Sequence, residues 1–150
     1  MKKLTLFMAA AFIAAMALTG CAPSTESSDW LKGTTWKADL AGVQCTANHD
    51  TWVDGGIIDE GFIKIHFTIT GYRLAIEYSQ GVGKSMTSTV SRLSPDYNYP
   101  ELNFPFVVGG DEDNPEIEYS TGIISEDFKT IHFDTFKTRF SVFRDIDFTR

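Results

Sequence analysis

Phe62-Ile63-Lys64-Ile65-His66-Phe67-Thr68-Ile69-Thr70, followed by Gly71 and then by Tyr72-Arg73-Leu74-Ala75-Ile76-Glu77-Tyr78, is the stretch that decides the fold. Side chains of an extended chain alternate between two faces, so Ile63, Ile65, Phe67 and Ile69 share one face and Lys64, His66, Thr68 and Thr70 the other. Gly71 permits a reversal. Beyond it Tyr72, Leu74, Ile76 and Tyr78 resume an apolar face opposite Arg73, Ala75 and Glu77. Two such runs around a glycine predict an antiparallel hairpin.

Working outward, Gly81 and Gly83 mark the far end of the hairpin, and Met86 to Leu93 forms a strand rich in β-branched residues. Ser94 to Glu101 contains two prolines and reads as a loop or an edge crossing. Leu102 to Val108 alternates again, Gly109 to Pro115 breaks the chain, and Ile117 and Tyr119 resume the apolar face. Two strands close the sequence: Lys129 to Phe133, with Ile131 and Phe133 inward, and Arg139 to Phe148, with Phe140, Val142, Ile146 and Phe148 inward. Upstream lie Thr34 to Leu40, Val43 to Thr46 and a short extra element at Ile57. Helical spacing is confined to a short turn through Trp30 and Leu31, which Asp29 is placed to cap. The expectation is an all-β domain of about eight antiparallel strands in a meander, closed into a barrel so that no edge is exposed.

Ahead of this domain, Lys2 and Lys3 precede an apolar run from Leu4 to Leu18, of signal-peptide length and shorter than the roughly 20 residues of a membrane span. It ends in Leu18-Thr19-Gly20-Cys21, which resembles the lipobox of bacterial lipoproteins. The resemblance implies cleavage before Cys21 and diacylglycerol on its thiol. Each buried methylene contributes about 0.8 kcal/mol, so two or more acyl chains make a stable anchor. Ala22 after the cysteine favours outer-membrane delivery under the enterobacterial sorting pattern. The chain thus divides into a signal peptide, residues 1–20, a lipidated cysteine and flexible tether, residues 21–29, and a single domain, residues 30–150. About eight small polar residues give the tether a root-mean-square reach of roughly 16 Å.

Composition narrows the partners. The chain has 20 acidic and 13 basic residues, and Lys2 and Lys3 leave with the signal peptide. Nucleic acid needs clustered Lys and Arg, which are absent here. Lipidation of Cys21 leaves Cys45 without an intrachain disulfide partner, as a small buried hydrophobe. Gly81-Val82-Gly83-Lys84-Ser85 echoes the tail of a phosphate loop, but Tyr78 stands where its leading glycine belongs, so a hairpin turn accounts for it. Asp111, Glu112, Asp113 and Asn114 lack the glycine and distal glutamate of a calcium loop and read as a solvated turn. His49, His66 and His132 lie on three distant segments, so no metal site is expected. Glu116 with Glu118, and Asp145 with Asp147, sit two apart on polar strand faces without the unlike environments that acid and base roles need. No nucleophile motif emerges, and neither an enzyme nor a cofactor is expected.

Asp29-Trp30-Leu31-Lys32-Gly33-Thr34-Thr35-Trp36-Lys37 resembles the opening of lipocalin-like domains, in which a turn leads to a glycine and a tryptophan at the first strand. Here two residues separate Gly33 from Trp36 where lipocalins usually have one. Tyr119 to Thr130 is similar to hairpins of small lipocalin-like lipoproteins of Bacteroidetes-type bacteria. The resemblance implies a lipocalin-like barrel whose Trp36 lies under an arginine of the last strand, Arg144 or Arg139, as a barrel-closing pair. It also implies a small hydrophobic ligand in the interior.

The 12 Phe, 5 Tyr and 3 Trp supply enough bulk to fill such a barrel instead. In that case the domain would present a surface to another envelope protein, with Tyr97 and Tyr99 in the 94–101 segment as the candidate interaction loop.

Overall fold

The computed structural model describes residues 25–47, 56–68, 71–80, 83–138 and 141–150. Residues 1–20, where a signal peptide is expected, and Cys21, His49, Ile69, Thr70, Gly81, Arg139 and Phe140 lie outside the described residues.

The domain is all-β. Among the described residues a 3-10 turn, Ser28–Leu31, precedes β1 (Thr35–Asp39), β2 (Val43–Ala47), β3 (Gly56–Ile58), β4 (Gly61–Thr68), β5 (Gly71–Gln80) and β6 (Gly83–Ser91). There follow β7 (Asp96–Asn98), β8 (Glu101–Gly110), β9 (Pro115–Ile124), β10 (Thr130–Lys137) and β11 (Ser141–Thr149). These eleven segments form one antiparallel sheet. Three pairs of segments are single strands with an interruption. Asp39 pairs with Phe62 and Val43 with Ile58, so β1/β2 and β3/β4 make one ladder broken only at Leu40–Gly42 and 59–60. The β6/β7 path exchanges partners: β6 is bonded to β5, and after residues 92–95 β7 is bonded to β8. The sheet is therefore an arrangement of eight antiparallel strands, in the order β6-β5-β4-β1-β11-β10-β9-β8 with β7 beyond β8.

The closed barrel expected from the meander is not formed; the sheet rolls into an open half-barrel. No ladder joins β6 to β8; the three-residue β7 that lies between them in the chain is bonded to β8. Two features on the β8 side account for this. Pro105 has no N–H to donate to a neighbouring strand, and its carbonyl accepts from the Tyr72 hydroxyl of β5 instead. Phe104 then packs on Phe67 and Tyr72, with ring centroids 5.5 and 5.1 Å away, so side chains bridge the opening where backbone does not.

The concave face holds the core. Trp36, Leu40, Ile63, Ile65, Leu102, Phe104, Ile131, Phe133, Phe136, Phe143, Ile146 and Phe148 are all fully buried. Phe133 is in contact with Phe104 at 5.6 Å, Phe136 at 4.9 Å and Phe148 at 5.6 Å. Most of these contacts are edge-to-face or tilted, the arrangement that ring quadrupoles favour.

Three expectations are corrected by the register. Gly71 is the first residue of β5, paired with Thr68, and not the turn itself. Its role is close approach, because a Cβ there would stand 2.1 Å from the Ser91 carbonyl oxygen, at a φ of +145° that suits only glycine. On β9, Ile117 and Tyr119 do not face the core. Ser120, Gly122 and Ile124 do, since Gly122 leaves the room that Phe133 and Ile131 occupy. On β11 the alternation slips between Phe143 and Ile146, where Asp145 takes a φ of +53°, and the facing strand slips in step between Phe133 and Phe136. Phe143 is thereby turned inward while Val142 is only half-buried.

Gly122→Ala places a methyl 2.5 Å from Phe133 Cζ and 2.6 Å from Ile131 Cγ2 in a packed interior. The expected loss is about 1–3 kcal/mol, read as a lower urea midpoint at unchanged slope.

Candidate functional site

One end of the half-barrel is plugged by aromatic residues. Ser27, rather than Asp29, caps the 3-10 turn, its Oγ accepting from the Asp29 N–H at 3.2 Å; the Asp29 carboxylate pairs instead with Lys32. The turn sets Trp30 edge-on against Trp36 at 6.0 Å, Tyr97 at 6.2 Å and Phe128 at 5.0 Å. Trp30 Nε1–H donates to Tyr97 Oη at 3.2 Å, and Trp36 Nε1–H donates to Thr34 Oγ1 at 2.9 Å. Tyr99 stacks on Phe128 at 5.3 Å, so Tyr97 and Tyr99, the residues of the candidate interaction loop, are half-buried members of the plug. Phe128 reaches this position with a φ of +57°, in a turn where Ser125 Oγ donates to Asp127 Oδ1 at 2.7 Å. That hydroxyl and the Lys129 N–H hold the Asp127 carboxyl below its ordinary range.

The cation over the tryptophans is Arg150. Its guanidinium carbon lies 5.5 Å from the Trp36 ring and 5.6 Å from that of Trp30. Arg144 is exposed on the outer wall, carried there by the slip in β11, and pairs across the sheet with Thr135. The sequence offered an arginine near the end of the last strand but not which one, because the phase of β11 changes after Phe143.

A second feature lies on the outer wall of β8 and β9. Val107, opposite Ile117, is 44% exposed, and Tyr119 and Ile123 are 54% and 45% exposed. Bulky apolar groups are thus turned to solvent while serine and glycine face the core. The available signal was the pairing of Ser120 and Gly122 with neighbours as large as Phe133.

His132 is held between two carboxylates on the same wall. Its Nδ1 is 2.7 Å from Asp147 Oδ1 across the ladder, and its Nε2 is 3.1 Å from Asp134 Oδ1 along its own strand. The Asp147 hydrogen bond is the main influence raising its pKa, with a smaller part from Asp134, against a desolvation cost. His66 lies elsewhere, its Nδ1 3.0 Å from Thr35 Oγ1. Burial pushes the Cys45 thiol up, away from the thiolate that nucleophilic chemistry needs. Among the described residues no three histidine, cysteine or carboxylate side chains are grouped to hold a metal ion. Glu118, within β9, accepts from Lys137 Nζ at 3.1 Å.

Because folding raises the pKa of His132, its ion pairs stabilise the fold fully below the unfolded value near 6.5 and lose that contribution as pH rises through the folded value. The pair is solvent-exposed, so the effect is about 0.2–1 kcal/mol. Thermal melts of wild type and His132→Gln are expected to differ near about pH 5.5 and to coincide near about pH 9.

Removing the shared cation by Arg150→Gln is expected to cost about 1 kcal/mol, with Arg150→Lys keeping part of it. Chemical denaturation of the two variants checks this.

Comparison with protein-family models, with curated proteins and with solved structures finds no match to this chain.

Proposed function

We propose that this protein is a lipid-anchored component of the cell envelope, held to the outer membrane through Cys21. Its β-domain works by the surface it presents and does not carry a small hydrophobic ligand. The observation that supports this most is the interior, where Phe104, Phe133, Phe136 and Phe148 touch one another in a continuous network of rings. A ligand of useful size would have to displace those rings, and each buried aromatic contributes several kcal/mol to the fold. The outer strip of Val107, Ile117, Tyr119 and Ile123 is the surface offered to another envelope protein, since apolar groups gathered on a polar wall mark interaction sites.

Native mass spectrometry of the protein purified from its own host tests the reading. The expected spectrum carries the mass of the acyl chains on Cys21 and no further lipid. A retained hydrophobic molecule would restore the lipocalin-like carrier in its place. Cys21→Ser is expected to move the protein from the membrane to the soluble fraction. Tyr119→Lys with Ile123→Lys should leave thermal stability within about 0.5 kcal/mol while removing the cross-linked species formed in intact cells. Cross-linking unchanged by the double variant would count against the strip.

A further inference from the structure

Resting on the lipid-anchored reading, we infer that the plugged end of the half-barrel docks on the bilayer that holds the anchor, with Trp30, Tyr97 and Tyr99 lying among the headgroups. The first described residue, Thr25, is four residues from Cys21, so it lies at most about 14 Å from the lipidated residue even with the chain fully extended. Thr25 and Glu26 turn directly into the Ser27 cap and the 3-10 turn. The short tether therefore delivers this end of the domain to the membrane, and the opposite rim, with its Asp111–Asn114 turn, points away from it.

The chemistry of the plug suits that position. Its outer members are half-exposed tryptophan and tyrosine, rings with an apolar body and a polar tip, the residue types enriched where hydrocarbon meets headgroups. Two of the cations beside them are paired, Lys32 with Asp29 and Lys129 with its Nζ 3.9 Å from Asp127 Oδ2. Arg150, spread over two tryptophan faces, is the cation positioned to meet lipid phosphate as the rings approach. The indole of Trp30 already donates to Tyr97, so entry into the interface leaves no N–H unsatisfied.

The test uses the full lipidated protein in vesicles of phosphatidylethanolamine and phosphatidylglycerol carrying brominated acyl chains, with the bromines near the headgroups or near the bilayer centre. The protein is expected to float with the vesicles and to be quenched more by shallow than by deep bromines. In Trp30→Phe the shallow quenching is expected to fall about twofold with flotation unchanged. Floating protein quenched equally little at both depths overturns the docked end and leaves the anchor standing. Protein that fails to float overturns both. Should Trp30→Phe not fold, the wild-type depth comparison decides alone. Hydrogen exchange at residues 97–101 is then expected to slow on vesicles relative to soluble Cys21→Ser, and equal exchange would overturn the docking.

Discussion

Strand β1 is bonded on one side to β4 and on the other to β11, and this double pairing joins everything else. Without it the β4-β5-β6 and β8-to-β11 portions would be separate sheets, each with one face wet. The joint is narrow, with Lys37 paired to Thr149, and β2 lengthens it by continuing along β11 from Cys45 to Ala47. Trp36 makes it firm. Fully buried and paired with Ile65, with Arg150 over its ring, it links the first strand to the last through packing as well as hydrogen bonds.

From that joint follow the filling and the shape of the half-barrel. Large rings enter from β8, β10 and β11, and they fit because Gly122 and Ser120 on β9 are small. The same economy of space turns the bulky residues of β9 outward. A filled interior and an apolar outer strip are two results of one packing solution, and together they move the functional question from the cavity to the surface. The opening between β6 and β8 belongs to the same solution, since Tyr72 and Phe104 occupy the place where a closing ladder would draw the edges together.

Much of this was legible in the residues. The hairpin of β4 and β5, the inward face of β4, and the core roles of Ile131, Phe133, Ile146 and Phe148 follow from alternation, because a buried sheet face must be apolar at every second residue. The faces of β9, the inward turn of Phe143 and the choice of Arg150 over Arg144 did not follow. Alternation carries no marker for a slip in phase such as the one at Asp145. Hydrophobicity, moreover, ranks Tyr119 above Gly122 whatever the space available.

Residue order alone was enough to set that the chain is built of alternating strands, where most of them begin and end, and which side chains fill the core of its central hairpin. These depend on backbone period and local polarity, which neighbours in the chain report directly. Packing in three dimensions was needed to settle that the roll stays open, that Tyr97 and Tyr99 belong to a plug with Trp30 and Phe128, and that Arg150 covers two tryptophans. Those outcomes turn on which segments distant in the chain reach the same volume first, and steric competition between them is not written in any single strand.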